Sequence, residues 1–243
     1  MRNSVAPISG PGEAATPAWV DALQERVRQH RLCAHPFFAS GAPLLRDDLT
    51  AWMRQQYFMS VSLSPCFAAL SSSSDLFDWS IRLRLLDLAI EEEWDAGPHA
   101  RAFLSFWEAL GGRAADLAQE PIVPATLAAA HARLALCHSA PGKAVGAGAL
   151  TLALANEYAN RIVFADIRKA IDRDLRRQLP LEYLSSHVID EVEHGDVLVT
   201  FALTQGLTEN DAPAVAASML SLLDKRAEFF DAVALAASAA RRR

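Results

Sequence analysis

Apolar residues recur every three to four positions along most of the chain, which is the spacing of one buried face of a helix. The first segment with this pattern follows Pro17 and carries Trp19, Val20, Leu23 and Val27. It ends near His35-Pro36, because proline disfavours the helical conformation in the residue before it. No segment alternates apolar and polar residues as a half-buried strand does. The pattern predicts an all-α protein.

Further segments with helical periodicity follow, separated by short runs rich in Pro, Gly or Ser. They cover residues 47–70, 75–96, 99–110, 124–138, 143–177, 181–205 and 211–240. Pro65 is expected to bend the second helix, and Gly97-Pro98 interrupts the chain after the third. Because the linkers are short, we expect residues 17–240 to form one domain, a bundle of seven to eight helices. Residues 1–16 lack the apolar core of a secretory signal and predict a disordered leader.

Composition supports the helical prediction and limits the classes of partner. Hydrophobic residues make up 51% of the 243 residues. The formal net charge is -6, and basic residues are scattered except in the Arg241–Arg243 tail, which argues against a nucleic-acid partner. Charged residues interrupt every apolar stretch before it reaches the length of a membrane span, so no membrane partner is expected. Three cysteines without a CxxC pair are typical of a reducing cytoplasm.

The segment from His187 to His194 is the clearest chemical motif in the chain. Residues seven apart lie within about 20° of each other on a helix, so the two imidazoles face the same way. Asp190 and Glu191 each lie about 50° to one side of that direction, whereas Glu193 points about 110° away. Either Asp190 or Glu191 is therefore a candidate third ligand. Two imidazoles and a carboxylate suit iron, zinc or manganese, although an exposed polar helix face would have the same spacing.

Two further stretches carry the same residue types. Glu92 and His99 are also seven residues apart, which places them on one face if Gly97-Pro98 does not break the helix badly. Glu157 follows an almost wholly apolar run, and a buried carboxylate needs a partner or a metal ion. Three helical stretches thus supply three carboxylates and three histidines, the ligand count of a dinuclear iron site in a bundle core.

These motifs resemble those of the haem-oxygenase-like diiron oxidases, which share a fold with the TenA thiaminase and PqqC oxidase families. The resemblance runs from about His35 to His194 and covers most of the chain beyond the leader. Its elements are His35-Pro36-Phe37, Leu49-x-x-Trp52-x-x-x-Gln56-Tyr57, the segment from Glu92 to Gly111, Glu157, and the segment from His187 to His194.

The resemblance implies two Fe(II) ions, with dioxygen as co-substrate. Its ligand pattern matches Glu92, His99, Glu157, His187, Glu191 and His194 one by one. The pattern thereby selects Glu191 over Asp190 as the ligand. At this position most members of the family carry Asp, so Glu191 is a departure from the pattern. Members of the group perform different reactions. The self-sacrificing p-aminobenzoate type carries a lysine at the position that Ile167 occupies here, which argues against that reaction. The implied activity is oxidation of a small amino-acid-like or carboxylate substrate, and an external electron donor and a homodimer are compatible with it.

Four residues are candidates for the substrate pocket. Arg161 lies one turn after Glu157, so its guanidinium is expected either to neutralise that carboxylate or to bind a substrate carboxylate. Tyr57, Tyr158 and Phe164 are candidates for an apolar lining, although aromatic residues at helical spacing are often plain core.

Two other functions remain open at the level of the sequence. One is a metal-free enzyme of the PqqC or TenA type. TenA-type hydrolysis uses a cysteine on the long helix that carries Glu157, and no cysteine follows Cys137. The other is a non-catalytic helical binding module.

Overall fold

The computed structural model of the chain describes residues 16–39, 41, 43–73, 78–94, 97–175 and 179–242. Its α-helices are α1 (Ala18–Arg28), α2 (Pro36–Ala39), α3 (Arg46–Val61), α4 (Ser64–Ser73), α5 (Trp79–Glu91), α6 (Pro98–Ala109), α7 (Ala114–Leu117), α8 (Pro124–Cys137), α9 (Lys143–Leu152), α10 (Ala159–Asp174), α11 (Glu182–Thr204) and α12 (Ala212–Ala240). The described residues contain no β-strand, which confirms the all-α prediction. The predicted leader lies outside the described residues except for Thr16.

The predicted second helix is two helices in the structure. α3 ends at Val61 and α4 begins at Ser64. Pro65 stands in the first turn of α4, where its missing N–H removes no helical hydrogen bond. Pro65 therefore helps to start a helix. The prediction that it bends one continuous helix is wrong.

A turn of π-helix, Ala153–Tyr158, joins α9 to α10. The chain from residue 143 to 174 is therefore one long rod, as predicted, but with a wider turn in its middle. Single π turns inside α-helices are rare overall, and those that occur are often found at functional sites. Here the π turn contains Asn156 and Glu157, both buried.

The helices pack around one continuous hydrophobic core. α11 packs against α9, the π turn and α10 on one side and against α5 and α6 on the other, while α12 packs against α3, α8 and α9. The largest fully buried side chains include Trp52, Phe103, Trp107 and Tyr183. None of the helices in the described ranges combines the length and the apolar character that crossing a membrane requires.

This packing brings the three candidate stretches together. α11 carries the motif from His187 to His194, and its neighbours are the end of α5, the start of α6 and the π turn. α5 ends at Glu91, and α6 begins at Pro98. At Gly97 the chain passes so close to itself that an added Cβ would lie 2.1 Å from the carbonyl oxygen of Glu91. Only glycine fits this reversal without a shift of the backbone.

Candidate metal centre

Three potential ligand atoms converge in the core between α11 and the π turn. One ligand atom from each of Glu157, Glu191 and His194 lies within 4.8 Å of the other two. The Nδ1 atom of His194 is 3.7 Å from Oε2 of Glu157 and 3.7 Å from Oε2 of Glu191. All three residues are almost completely shielded from solvent: Glu157 is 0% exposed, Glu191 2% and His194 1%.

The same three atoms have no hydrogen-bond partner. Oε2 of Glu157, Oε2 of Glu191 and Nδ1 of His194 are buried and unsatisfied within the described part of the chain. An unsatisfied buried polar atom costs free energy, and an unpaired buried charge costs more. A cation bound between them would satisfy all three atoms at once. The donor set of two carboxylates and one imidazole fits a first-row transition metal.

Glu92 and His99 form a second pair beside these atoms. Oε1 of Glu92 is 2.8 Å from Nδ1 of His99 and 3.7 Å from Nδ1 of His194. The helix between Glu92 and His99 does end, but the reversal at Gly97 folds the first turn of α6 back onto the end of α5. Glu92 and His99 therefore lie side by side, as predicted, but through a contact between two helices and not along one continuous helix.

His187 completes a cluster of three imidazoles. Its ring centroid is 4.8 Å from that of His99, and the centroids of His99 and His194 are 5.7 Å apart. Nδ1 of His187 donates to the backbone carbonyl of Tyr183 at 2.7 Å. This bond fixes the tautomer, so Nε2 carries the lone pair that a metal ion would use.

Two partly exposed carboxylates hold the other histidines from outside. Nε2 of His99 donates to Asp190 at 3.3 Å, and Nε2 of His194 donates to Glu91 at 3.2 Å. Nδ1 of each ring faces the glutamates. That of His99 donates to Glu92 in the metal-free protein, and a metal ion would bind Nδ1 of either ring only after its proton has left. Asp190 therefore lies on the outer side of His99, and Glu191 points inward. Helix geometry alone left that choice open, and it did not single out Glu91 at all.

The histidines differ in their electrostatic surroundings. Burial lowers the pKa of His194, but the nearby carboxylates of Glu157 and Glu92 outweigh it and raise the pKa to about 9. Burial, followed by repulsion from His99, lowers the pKa of His187 to about 4. His187 is therefore neutral at pH 7. His194 in the metal-free protein holds a proton that a metal ion would displace.

Sequence reasoning missed four buried polar side chains that lie around Glu157 and Glu191. They are Arg133, Asn156, Asn160 and Arg226. Asn156 and Asn160 carry the only local signal, because they are polar residues one turn apart in an otherwise apolar stretch around Glu157. The arginines come from α8 and α12, and no local pattern links them to the site.

The aromatic candidates separate in space. Phe164 lines a small cavity together with Glu92, His187, Gln56 and Ser60, and its ring meets that of His187 edge-on at 4.7 Å. Tyr57 packs against Trp94 at 4.7 Å and against Phe58 at 5.0 Å, and it does not line this cavity. Gln56, the residue next to Tyr57, faces the cavity instead.

Arg161 lies apart from Glu157. Its guanidinium is 5.8 Å from the ring centroid of Tyr158, which also faces Arg28 at 5.2 Å. Arg161 and Tyr158 line a cavity of about 450 Å³ among residues of α1, α10 and α11. Among the ion pairs of the described residues, none joins Arg161 to Glu157, and the guanidinium faces the Tyr158 ring instead. Binding of a substrate carboxylate by Arg161 stays a prediction.

Comparisons with known proteins support the fold. No protein-family model matches the chain, and no curated protein sequence matches it. A TenA homologue from P. horikoshii OT3 superposes with a TM-score of 0.70 at 12% identity, covering 88% of this chain and 95% of that one.

Two other solved structures are similar. A domain of unknown function with a haem oxygenase-like fold from Shewanella denitrificans has a TM-score of 0.67 at 16% identity, covering 88% of each chain. A TenA homologue from Pseudomonas syringae pv. tomato has a TM-score of 0.66 at 13% identity, covering 93% of this chain and 98% of that one. The chain therefore has the haem-oxygenase-like fold that the TenA homologues share, as its motifs implied.

Proposed function

We propose that this protein is a non-haem diiron oxidase or oxygenase that uses dioxygen to oxidise a small substrate. The observation that carries the proposal is the set of three buried, unsatisfied ligand atoms on Glu157, Glu191 and His194. A protein without a ligand here would bear the cost of leaving them unpaired. Glu92, His99 and His187 adjoin this set and bring the number of ligands to that of a dinuclear site.

The six side chains would hold two Fe(II) ions. Bound iron would supply the electrons and the open coordination positions with which dioxygen is reduced. The chain itself orients the ligands and excludes water. Hydrogen bonds from His99 and His194 to outer carboxylates, and from His187 to a backbone carbonyl, hold each ring by one nitrogen, and the metal ions would bind the other. Burial of all six side chains below one-tenth exposure keeps bulk water away.

The substrate would bind beside Glu92 and His187, where the cavity of about 20 Å³ has room for a water-sized molecule and would have to widen to admit a larger one. Phe164 forms an apolar wall of this cavity, and Gln56 and Ser60 offer hydrogen-bonding groups. Such a lining suits a small molecule with both an apolar part and a polar end, and an amino-acid-like or carboxylate compound meets that description. An external electron donor would restore Fe(II) if the reaction consumes more electrons than the substrate yields.

Oxygen consumption tests the activity. The protein is loaded with Fe(II) under anaerobic conditions, mixed with a panel of amino acids and fatty acids, and exposed to dioxygen in an oxygen electrode. At least one substrate is expected to accelerate oxygen uptake and to be converted in step with it. A Glu157→Ala variant treated in the same way is the control, and uptake equal to that of the parent would contradict the proposal.

A metal-free enzyme is the second candidate, because two of the similar structures are TenA homologues. The long rod from α9 to α10 contains no cysteine for a TenA-type nucleophile, and Cys137 stands at the end of α8. Activity that survives complete removal of metal with a chelator would favour this candidate. Iron binding without oxygen consumption on any substrate would favour a binding module.

A further inference from the structure

Each glutamate of the unsatisfied group uses one carboxylate oxygen for a neighbouring amide. Oε1 of Glu157 accepts from Nδ2 of Asn156 at 3.0 Å, and Oε1 of Glu191 accepts from Nδ2 of Asn160 at 3.0 Å. The second oxygen, Oε2, is the one that lies 3.7 Å from Nδ1 of His194 in both cases. The amides thereby divide each carboxylate into a held oxygen and a free one.

An arginine determines which way each amide points. Nη1 of Arg133 donates to Oδ1 of Asn156 at 3.1 Å, and Nη2 of Arg226 donates to Oδ1 of Asn160. A guanidinium has five donors and no acceptor, so it bonds only to the oxygen side of the amide. The amide nitrogen must then face the glutamate, which as a carboxylate can only accept. Reversing either amide would set donor against donor and acceptor against acceptor.

Both arginines are themselves fixed in the core. Arg133, 3% exposed, also donates to the carbonyl oxygen of Met59 and to Oγ of Ser62 at 2.6 Å. Arg226, 6% exposed, also donates to the backbone carbonyls of Ala155 and Asn156 in the π turn. Buried guanidiniums carry a large desolvation cost. Two of them beside two buried glutamates balance charge in the core, and their hydrogen bonds tie α8 and α12 to the π turn.

We propose that Arg133 and Arg226 are positioning residues of the metal centre, acting through Asn156 and Asn160 to present one oxygen of each glutamate to a metal ion. The proposal rests on the proposed function of the site as a metal centre. The two arginine–asparagine pairs determine the orientation of Glu157 and Glu191 before any ion binds. In both glutamates Oε2, the oxygen without a hydrogen bond, would be the one presented to the ion.

The test compares metal binding in Asn156→Ala and Asn160→Ala with that of the parent. Co(II) is the probe, because its visible absorption reports the geometry of the ligands. Removing an outer hydrogen-bond partner of a ligand is expected to weaken Co(II) binding by about 10- to 100-fold and to change the spectrum. Thermal unfolding is followed in parallel.

Gln55→Ala is the matched control. Gln55 is a buried amide, 6% exposed, that bonds to Pro121, Val123 and Thr126 and contacts none of the six ligands through these bonds. Its removal is expected to lower the unfolding temperature and to leave Co(II) affinity and the spectrum at parent values. A purely structural role for the asparagines would instead make all three variants behave alike.

Parent affinity and an unchanged Co(II) spectrum in both asparagine variants would overturn the proposal. If the alanine variants do not fold, Arg133→Lys and Arg226→Lys decide. Lysine keeps the charge but cannot reproduce the planar fork of donors. A shifted spectrum in these variants supports the proposal, and an unchanged spectrum overturns it. Failure of the parent protein itself to bind Co(II) or Fe(II) would instead refute the proposed function.

Discussion

Nδ1 of His194 lies 3.7 Å from Oε2 of Glu157, and neither atom has a hydrogen-bond partner within the described residues. The separation is too long for a hydrogen bond between them. Two atoms that ligate one ion at about 2 Å each can lie up to about 4 Å apart, so the gap suits a shared metal ion. The π turn that carries Glu157 and the α11 helix that carries His194 meet at this point.

Glu191 and Asp190 are adjacent in sequence but are predicted to differ in their effect on metal binding. Glu191→Gln removes the charge of an inward carboxylate whose free oxygen faces His194. It is expected to weaken Fe(II) binding by at least about 100-fold. Asp190→Asn retains an acceptor for His99 and is expected to change affinity by less than about 10-fold. Isothermal titration of both variants measures the difference, and equal losses would show that Asp190 is itself a ligand.

Gly97→Ala is predicted to separate Glu92 from His99. The added Cβ would lie 2.1 Å from the carbonyl oxygen of Glu91, so the reversal between α5 and α6 must shift. The variant is expected to lose about 1–3 kcal/mol of unfolding free energy and to bind metal more weakly. Equilibrium denaturation and metal titration provide the two measurements.

Gly195→Ala is the control for the substitution at Gly97, because it adds the same methyl group beside His194. The nearest atom to its added Cβ is Cβ of Glu157 at 3.8 Å, an ordinary contact. Alanine also favours the helix over glycine by up to about 1 kcal/mol. We expect unchanged or slightly higher stability and parent metal affinity. A loss comparable with that of Gly97→Ala would show that the reversal has no special role.

Arg161→Ala is predicted to leave metal binding unchanged. Arg161 stacks on Tyr158 in a cavity whose lining includes none of the six candidate ligands. Fe(II) stoichiometry and affinity should equal those of the parent. Loss of metal binding in this variant would mean that the guanidinium does neutralise Glu157, as the regular helix spacing had predicted.

Acid is predicted to destabilise the protein through His35. Nδ1 of His35 accepts from the backbone N–H of Phe37, and Nε2 donates to Asp231. Protonation of Nδ1 would set donor against donor. Burial lowers the pKa of His35 below its ordinary value of 6.5 and outweighs the opposing bond to Asp231. The folded state thus binds fewer protons here than the unfolded state, and this contribution to stability is present above pH 6.5 and declines as the pH falls below it.

Denaturation of the parent and of His35→Gln across pH 5 to 8 measures this effect. The variant is expected to be less stable at pH 8, because it loses the buried imidazole packed between Phe38 and Phe230. The difference between the two proteins should shrink toward pH 5. A constant difference across the range would rule out His35 as the titrating group.

The sequence predicted the parts of the site that depend on local periodicity. His187 and His194 share a face because seven residues make nearly two helical turns, and α11 is a regular helix across both. The convergence of Glu92 and His99 depends on a reversal of the chain that no periodic pattern describes. The Arg161 expectation rested on helix spacing alone, and the guanidinium faces the Tyr158 ring. Arg133 and Arg226 were missed because their bonds to Asn156 and Asn160 cross between helices far apart in sequence.

Anaerobic titration with Fe(II) tests the central claim most directly. The parent protein is predicted to bind about two equivalents. Glu157→Ala and His194→Ala, each of which removes one of the unsatisfied atoms at the centre of the site, are predicted to lose at least one of them. A parent protein that binds no Fe(II), or variants that bind as much as the parent and as tightly, would contradict the account.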